Sequence, residues 1–227
     1  MRLSPGSQSS PGRLRVWDLA TRLMHWGLAV AVIGALACVQ IGGNAMVWHL
    51  RFGYCALAFV VARMVWGLIG PRYARFASFA PHPRAAFNYL KSGAKGVFAG
   101  HNPAGALSVY AMLFVITAQA TTGLFSDDEV MWEGPLTRLV SGEFVSAATS
   151  LHHLNGNVVY LLIALHLGAI VFHTWIRRDP LVRPMITGDR PMSEASDALP
   201  AKDGLRERVL GIALIALSGT LVWWLVR

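Results

Sequence analysis

Apolar residues fall into five long runs separated by more polar segments, and each run is long enough to cross a bilayer as a helix. A membrane-spanning helix needs about 20 apolar residues to cross the ~30 Å hydrocarbon layer. The pattern predicts an all-α integral membrane protein with five transmembrane helices in contact with membrane lipid. The predicted runs are Leu23–Ile41, Trp48–Ile69, Ala104–Leu124, Leu151–Ile176 and Val209–Val226.

The polar segments set the predicted domain limits. Residues 1–14 are rich in Ser, Pro and Gly and are expected to be disordered. Residues 15–190 form the main membrane domain, residues 191–208 a polar linker, and residues 209–227 the extra transmembrane helix. Within the main domain, Pro83–Ser92 is expected to form a short interfacial helix with Phe87 and Leu90 facing lipid. Ser126–Ser150 is expected to be an acidic loop.

Composition supports this class and changes the meaning of the charge. Of 227 residues, 54% are hydrophobic and only 14% are charged, which leaves no room for a large soluble domain. A net charge of +8 would suggest nucleic acid as the partner of a soluble protein. Here the basic residues flank alternate ends of the apolar runs, so they predict topology and no nucleic-acid partner.

The positive-inside rule places the N-terminus in the cytoplasm and Arg227 outside. The segment between the first two runs contains neither Lys nor Arg, and the segment between the third and fourth has Arg138 among five acids. The other segments are basic. The segment before the first run contains Arg2, Arg13, Arg15 and Arg22, and the segment between the second and third runs contains Arg72, Arg75, Arg84, Lys91 and Lys95. The segment between the fourth and fifth runs contains Arg177, Arg178, Arg183, Arg190, Lys202, Arg206 and Arg208.

Four histidines lie inside the apolar runs or at their ends, at two depths. His152 and His166 are 14 residues apart on one predicted helix, which is close to four turns, so they share a face and stand roughly 21 Å apart along the axis. Because successive helices alternate in direction, His49 pairs in depth with His152 near the outer surface, and His25 pairs with His166 near the inner one. Histidines within a membrane span are costly and indicate function.

Two imidazoles at matched depth suit the two axial positions of a haem iron. Such a haem does not readily bind oxygen, so it serves outer-sphere electron transfer. We therefore predict two bis-histidine, non-covalent haem groups, whose iron ligands are His25, His49, His152 and His166. Covalent haem c is excluded because the sequence has no C-x-x-C-H motif.

Gly53 and Gly156 each follow a predicted ligand by four residues, one helical turn along the same face. Either these glycines leave room for the flat macrocycle, or they reflect the general frequency of Gly in membrane helices. Arg63 also has two interpretations, since it can snorkel to the inner interface or bind a propionate of the inner haem.

Other functions of the histidines fit the sequence less well, and the remaining histidines have other expected roles. A proton relay or a metal transporter would require Asp or Glu within the spans, and the apolar runs contain none. His153 is an alternative outer ligand, because it adjoins His152. His173 could bind a propionate or a quinone, or be merely interfacial, and His82 and His101 are expected to be solvated.

The residues that carry a family resemblance are R-V-W-D-L-A-T-R-L-M-H-W (Arg15–Trp26), H-L-R-F-G-Y (His49–Tyr54), R-M-V-W-G-L-I-G-P-R-Y-A-R-F (Arg63–Phe76) and the helix with His152 and His166. With these motifs the chain resembles the bacterial di-haem cytochrome b561 family and the cytochrome b subunit of nickel–iron hydrogenases. The resemblance extends from Arg15 to about Arg190. It implies a multi-pass protein of the bacterial inner membrane, with a four-helix haem-binding transmembrane bundle, two haem b groups and the histidine pairing given above. The fifth, C-terminal transmembrane helix is an addition to this four-helix bundle.

The resemblance also implies a function. Two haem b groups would exchange electrons between membrane quinone and a periplasmic partner, such as a c-type cytochrome or a hydrogenase. The alternative is a self-contained superoxide:quinone oxidoreductase, an activity known for some members. Relatives often have a carboxylate after the first histidine of the fourth helix, where this chain has His153. That departure puts in doubt any outer-haem chemistry that depends on an acid.

Overall fold

The computed structural model describes residues 12–80, 82–93, 96, 98–191 and 198–227, so most of the segment 1–14 and part of the segment 191–208 lie outside it. Five of its helices are long and apolar enough to cross a membrane, which confirms the prediction of an all-α membrane protein with five spanning helices. In chain order the elements are β1 (Arg13–Arg15), α1 (Leu19–Ile41), α2 (Met46–Ile69), α3 (Pro83–Lys91), α4 (Pro103–Gly123), α5 (Gly142–Val171), α6 (Val182–Thr187), β2 (Asp189–Pro191) and α7 (Leu205–Leu225).

The bundle has two ends, which differ in the helices that begin there. Helices α1, α4 and α7 begin at the amino-terminal face, and α2 and α5 begin at the opposite face. Asp18 caps α1 by accepting from the Thr21 N–H, and Asn102 caps α4 by accepting from the Gly105 N–H. The short turn from α1 to α2 has φ values of 70° at Gly42 and 54° at Gly43, which glycine adopts at little cost.

Helix α5 begins nine residues before the start of its predicted apolar run, so the prediction of a loop over Ser126–Ser150 was wrong for its last part. The Ser141 side chain accepts from the Phe144 N–H, and Glu143 places a negative charge in the first turn, where the helix dipole favours it. Capping and helix-compatible residues extend the helix beyond the apolar stretch. His152 therefore lies well inside α5 and not at its first turn.

Helix α2 is central, since it packs against α1, α4 and α7, while α5 packs against α4. Buried side chains of α1 and α2 form a cluster with Ala74, and part of α7 packs on it. A Cβ added to Gly211 of α7 would come within 2.2 Å of the Ala20 Cβ, which shows how closely α7 approaches α1. Large apolar side chains such as Leu68 and Phe114 point outward, as expected of a lipid-facing surface.

Chain segments from both ends close the amino-terminal face. Strand β1 pairs antiparallel with β2, and the Ala201 N–H donates to the Arg15 carbonyl. The Asp203 carboxylate, whose side chain is 6% exposed, accepts from the Arg15 and Arg208 guanidinium groups and from the Leu19 N–H. These bonds attach the start of α7 to the start of α1.

Helix α3 lies where the sequence predicted an interfacial helix, and its apolar side chains Phe87 and Leu90 are exposed. The Tyr89 ring is buried and stacks nearly parallel to His173, with ring centroids 6.4 Å apart. His173 belongs to a π-helical turn, Phe172–Ile176, that continues α5. Tyr89 thus attaches the interfacial helix to the end of α5.

Candidate functional site

Two histidine pairs lie inside the bundle, and they are the pairs expected from the sequence. At the opposite face, His49 of α2 and His152 of α5 have ring centroids 6.2 Å apart with planes at 89°. Toward the amino-terminal face, His25 of α1 and His166 of α5 have centroids 6.4 Å apart with planes at 55°. Helix α5 thus contributes one ring to each pair.

The His49 ring is held in one tautomer. Its Nδ1 lies 3.0 Å from the Ala35 carbonyl oxygen of α1, and because a carbonyl only accepts, Nδ1 carries the hydrogen. Nε2 is then the unprotonated nitrogen, which is the form that binds a metal. A backbone carbonyl that holds the other ring nitrogen in this way is typical of ligating histidines.

Gln119 of α4 contacts both nitrogens of the His152 ring. The Gln119 carbonyl accepts from His152 Nδ1 at 3.0 Å, and the Gln119 side-chain amide lies 3.1 Å from His152 Nε2. The Asn155 amide donates to Gln119 Oε1 at 2.8 Å and so orients that amide. His152 Nε2 is therefore also an acceptor, and a metal bound there would take the place of the Gln119 amide.

The separations within the two pairs can be compared with the geometry of a shared metal. If two opposed imidazole nitrogens shared an iron at about 2.0 Å each, with each ring centroid roughly 1.1 Å behind its nitrogen, the centroids would lie ~6.2 Å apart. Both pairs fit this distance. Within the described ranges, no three or more His, Cys, Asp or Glu side chains gather as a metal site.

The glycines near the pair at the opposite face differ in their surroundings. A Cβ at Gly53 would meet nothing within 4 Å, and one at Gly156 would meet only the Gln119 amide at 3.7 Å. Gly123 of α4 is more closely packed, because its Cβ would lie 2.9 Å from His152 Cε1. The sequence pattern did not indicate a role for Gly123 or Gln119, since both belong to a helix that carries no histidine.

Arg63 does not reach the surface by snorkelling, because it is 8% exposed. Its guanidinium lies over the Phe76 ring at 4.9 Å, and its Nη1 is buried with no hydrogen-bond partner among the described residues. A buried cation without a carboxylate partner is costly. The position fits a site for a negatively charged group.

The expectation that His101 is solvated was wrong. Its ring lies between Trp17 and Phe79, with centroid distances of 4.7 and 4.2 Å, and its Nδ1 is buried without a partner in the described part of the chain. Burial, with smaller effects from Arg63 and His25, lowers the pKa of His101 to about 3, so the ring is neutral at physiological pH. His82 and His153, by contrast, are exposed.

The fold and these pairs define an all-α, multi-pass membrane protein that presents paired histidines inside its bundle. The model of the prokaryotic cytochrome b561 family matches residues 16–188, and the chain belongs to that family. The chain is also similar to a probable Ni/Fe-hydrogenase B-type cytochrome subunit from Rhizobium leguminosarum bv. viciae. That match is 23% identical over 217 residues and covers 80% of this chain and 90% of the relative. No solved structure matches the chain.

Membership of this family makes the chain a multi-pass bacterial membrane protein that binds haem b and takes part in transmembrane electron transfer. Both findings agree with the resemblance given by the motifs. The family match ends at residue 188, so α7 lies outside it.

Proposed function

We propose that the chain binds two haem b groups and conducts electrons between membrane quinone and a redox partner at the opposite face. The ligands would be His49 with His152 in one site and His25 with His166 in the other. The observation that carries the proposal is the separation of the ring centroids, 6.2 and 6.4 Å, because each suits an iron held by two imidazoles.

The chain's own residues would prepare each site for its haem. The Ala35 and Gln119 carbonyls fix the tautomers of His49 and His152, so that their Nε2 atoms are available. The open space at Gly53 and beside Gly156 leaves room for a flat ring system. A haem with two histidine ligands supplies one-electron transfer with little change in geometry. Arg63 offers a buried positive charge to a propionate of the haem at His25 and His166.

The distribution of charge supports a cytoplasmic amino-terminal face in the bacterial inner membrane. Basic residues are concentrated in the segments at that face, whereas the segment between α4 and α5 is acidic. The His49–His152 site would then lie near the periplasm and the His25–His166 site near the cytoplasm. They are roughly 21 Å apart along α5, which allows transfer across much of the bilayer.

Quinone is the redox carrier that the membrane provides, and the sequence has no glycine motif for a nucleotide donor. A c-type cytochrome or a hydrogenase is proposed as the periplasmic partner, since the relative is named as a hydrogenase cytochrome subunit. A cleft of about 500 Å³ at the opposite face includes Asp127, Glu129 and Glu133 in its lining. Its negative charge favours a partner with a basic surface.

The alternative, a superoxide:quinone oxidoreductase, receives less support from the same charges. Superoxide is an anion, and the acidic segment next to the His49–His152 site would repel it and slow its approach. A basic surface next to the His49–His152 site would be needed to attract superoxide. We therefore favour electron exchange with a protein partner.

Two measurements on the purified full-length chain test the proposal. A pyridine haemochrome assay is expected to give two haems per chain, all extractable by acid–acetone, and spectra are expected to be low-spin. Stopped-flow mixing with quinol and quinone analogues is expected to change the oxidation state of these haems. A value of one haem per chain would refute the two-site arrangement, and haems that respond to neither analogue would refute the link to quinone.

A further inference from the structure

Arg22, Arg63, His101 and Thr174 each have a buried side-chain atom without a hydrogen-bond partner among the described residues, and two of these residues, Arg63 and His101, lie on the same aromatic cluster. Arg63 lies over the Phe76 ring, and His101 packs on the Phe79 ring. Phe76 and Phe79 contact each other with centroids 6.0 Å apart, and both contact Tyr110. The unpartnered atoms of these two residues are Arg63 Nη1 and His101 Nδ1.

No carboxylate among the described residues forms an ion pair or a hydrogen bond with Arg63, although the charge of Asp18 is near enough to interact with it. Asp18 is the buried carboxylate of this region, but its oxygens already accept from Trp66 Nε1 and from the Thr21 amide and hydroxyl. It forms no ion pair with Arg63 in the described part of the chain. Arg63 is 8% exposed and its Nη1 has no partner in the described part of the chain, which favours an anionic acceptor from outside the chain.

We propose that Arg63 and His101 together bind one carboxylate group, a propionate of the haem that would be held by His25 and His166. This inference rests on the proposed function. Arg63 Nη1 would donate to the carboxylate and neutralise it, and His101 would donate from Nδ1. The contacts of the imidazole with Trp17 and Phe79 would restrict the direction of that bond.

The neutral state of His101 suits this role. Since burial lowers the pKa of His101 to about 3, the ring does not add a second positive charge beside Arg63. A carboxylate with charge −1 is then balanced by one guanidinium, and the imidazole contributes a hydrogen bond. A doubly charged phosphate would leave negative charge uncompensated in a buried position.

The first experiment compares haem with its dimethyl ester, in which both propionates are blocked, in the full-length chain. The protein is produced without haem and loaded with either compound, and binding is followed by the Soret spectrum. Because charge-assisted hydrogen bonds are lost, we expect the ester to bind the His25–His166 site about tenfold more weakly or worse. Equal binding of the two compounds at that site would refute the proposal and would leave a lipid phosphate or a free anion as the ligand of Arg63.

The second experiment tests the two residues separately in the haem-loaded protein. Arg63→Gln and His101→Phe are each expected to shift the propionate bending mode in resonance Raman spectra. Arg63→Gln is also expected to lower the midpoint potential of one haem, because removal of a nearby positive charge favours the ferric state. Arg51→Gln on the exposed part of α2 and His82→Phe on the exposed connection are the matched controls, and both are expected to leave these signals unchanged.

These outcomes separate this inference from the proposed function. If His25→Ala and His166→Ala leave the haem content unchanged, the proposed site itself is wrong. If those variants lose a haem but Arg63→Gln and His101→Phe leave the propionate mode and both potentials as in the controls, only the two-residue carboxylate site is wrong. The ester comparison uses the unchanged chain, so it stays informative even if a variant folds poorly.

Discussion

Gly123 lies directly against the imidazole of His152, and a methyl group at Gly123 would come within 2.9 Å of the ring Cε1 and 3.3 Å of Nδ1. The ring is not free to move away, because its Nδ1 donates to the carbonyl of Gln119, which lies one turn before Gly123 on α4. The distance between α4 and α5 at this level is therefore set by a glycine. A glycine without a histidine neighbour in sequence thus determines where a candidate ligand sits.

Gly123→Ala is expected to displace the His152 ring and to weaken or abolish haem binding at the His49–His152 site. The His25–His166 site, which is close to four helical turns away along α5, is expected to keep its haem. Optical and electron paramagnetic resonance spectra of the purified variant measure both. Gly219→Ala in α7 is the control, since a Cβ there would meet nothing within 4 Å. Unchanged spectra for Gly123→Ala would contradict the steric account.

Single-ligand variants test the pairing. His49→Ala and His152→Ala are expected to remove the same haem, and His25→Ala and His166→Ala the other, because an iron with one ligand lost binds weakly. Redox titrations identify which haem remains. His153→Ala serves as the control and is expected to keep both. The pairing would be wrong if His153→Ala lost a haem that His152→Ala retained.

The sequence predicted the spans and the partners within each histidine pair because both depend on spacing along single helices and on their alternating direction. It did not predict the contacts of Gln119, Gly123 and His101, because these depend on how closely neighbouring helices approach each other. The sequence also did not predict the start of α5. Hydropathy indicates only the part of a helix that lies within the membrane, whereas α5 begins earlier, at the residue that Ser141 caps. Spacing therefore identified the candidate ligands, and only the fold identified the residues that hold them.

Helix α7 is expected to stabilise the bundle. Gly211→Val would force α7 away from Ala20, and overpacking of this kind costs roughly 1–3 kcal/mol. The temperature at which helical circular dichroism is lost in detergent should fall by several degrees. Gly219→Val makes the same chemical change in open space and should have a much smaller effect. Equal effects of the two variants would mean that α7 contributes through its helical propensity and not through packing.

The Asp203 carboxylate gives the amino-terminal face a dependence on pH. Burial acts to raise the pKa of Asp203, but hydrogen bonds from Leu19 and Arg208 and the charges of Arg208 and Arg15 outweigh it and lower that pKa. The stabilisation is therefore complete above the unfolded pKa of about 4 and is lost as the pH falls through the lower folded value.

Asp203→Asn is expected to lower the unfolding temperature at pH 7 and to reduce its decline in acid. The control is Glu133→Gln, which breaks an exposed ion pair with Arg138 and should change stability little. Thermal unfolding of both variants is compared between about pH 3 and about pH 7, a range that includes the ordinary pKa values of carboxyl groups. An Asp203→Asn variant that unfolds with the same pH dependence as the unchanged chain would show that this carboxylate does not control the acid response.

Glu129 is a better residue than Asp128 for testing the acidic surface at the opposite face. Asp128 Oδ1 accepts from the Val130, Met131 and Trp132 amides, which lowers the pKa of Asp128 and makes its carboxylate part of the loop structure. Glu129→Lys is expected to slow electron exchange with a basic partner such as a c-type cytochrome, most strongly at low salt. Stopped-flow rates at several ionic strengths measure this. A rate that does not change with salt in either protein would exclude electrostatic docking.

Strand β1 has a consequence for how the chain is made. Its partner β2 and the carboxylate that binds Arg15 both come from the last part of the chain, after four of the five spanning helices. During synthesis, the apolar side chains of Leu14 and Val16 are expected to stay exposed until β2 and the residues after it have been made. The amino-terminal face therefore closes last, and a chain that stops before β2 is expected to expose these residues to proteolysis.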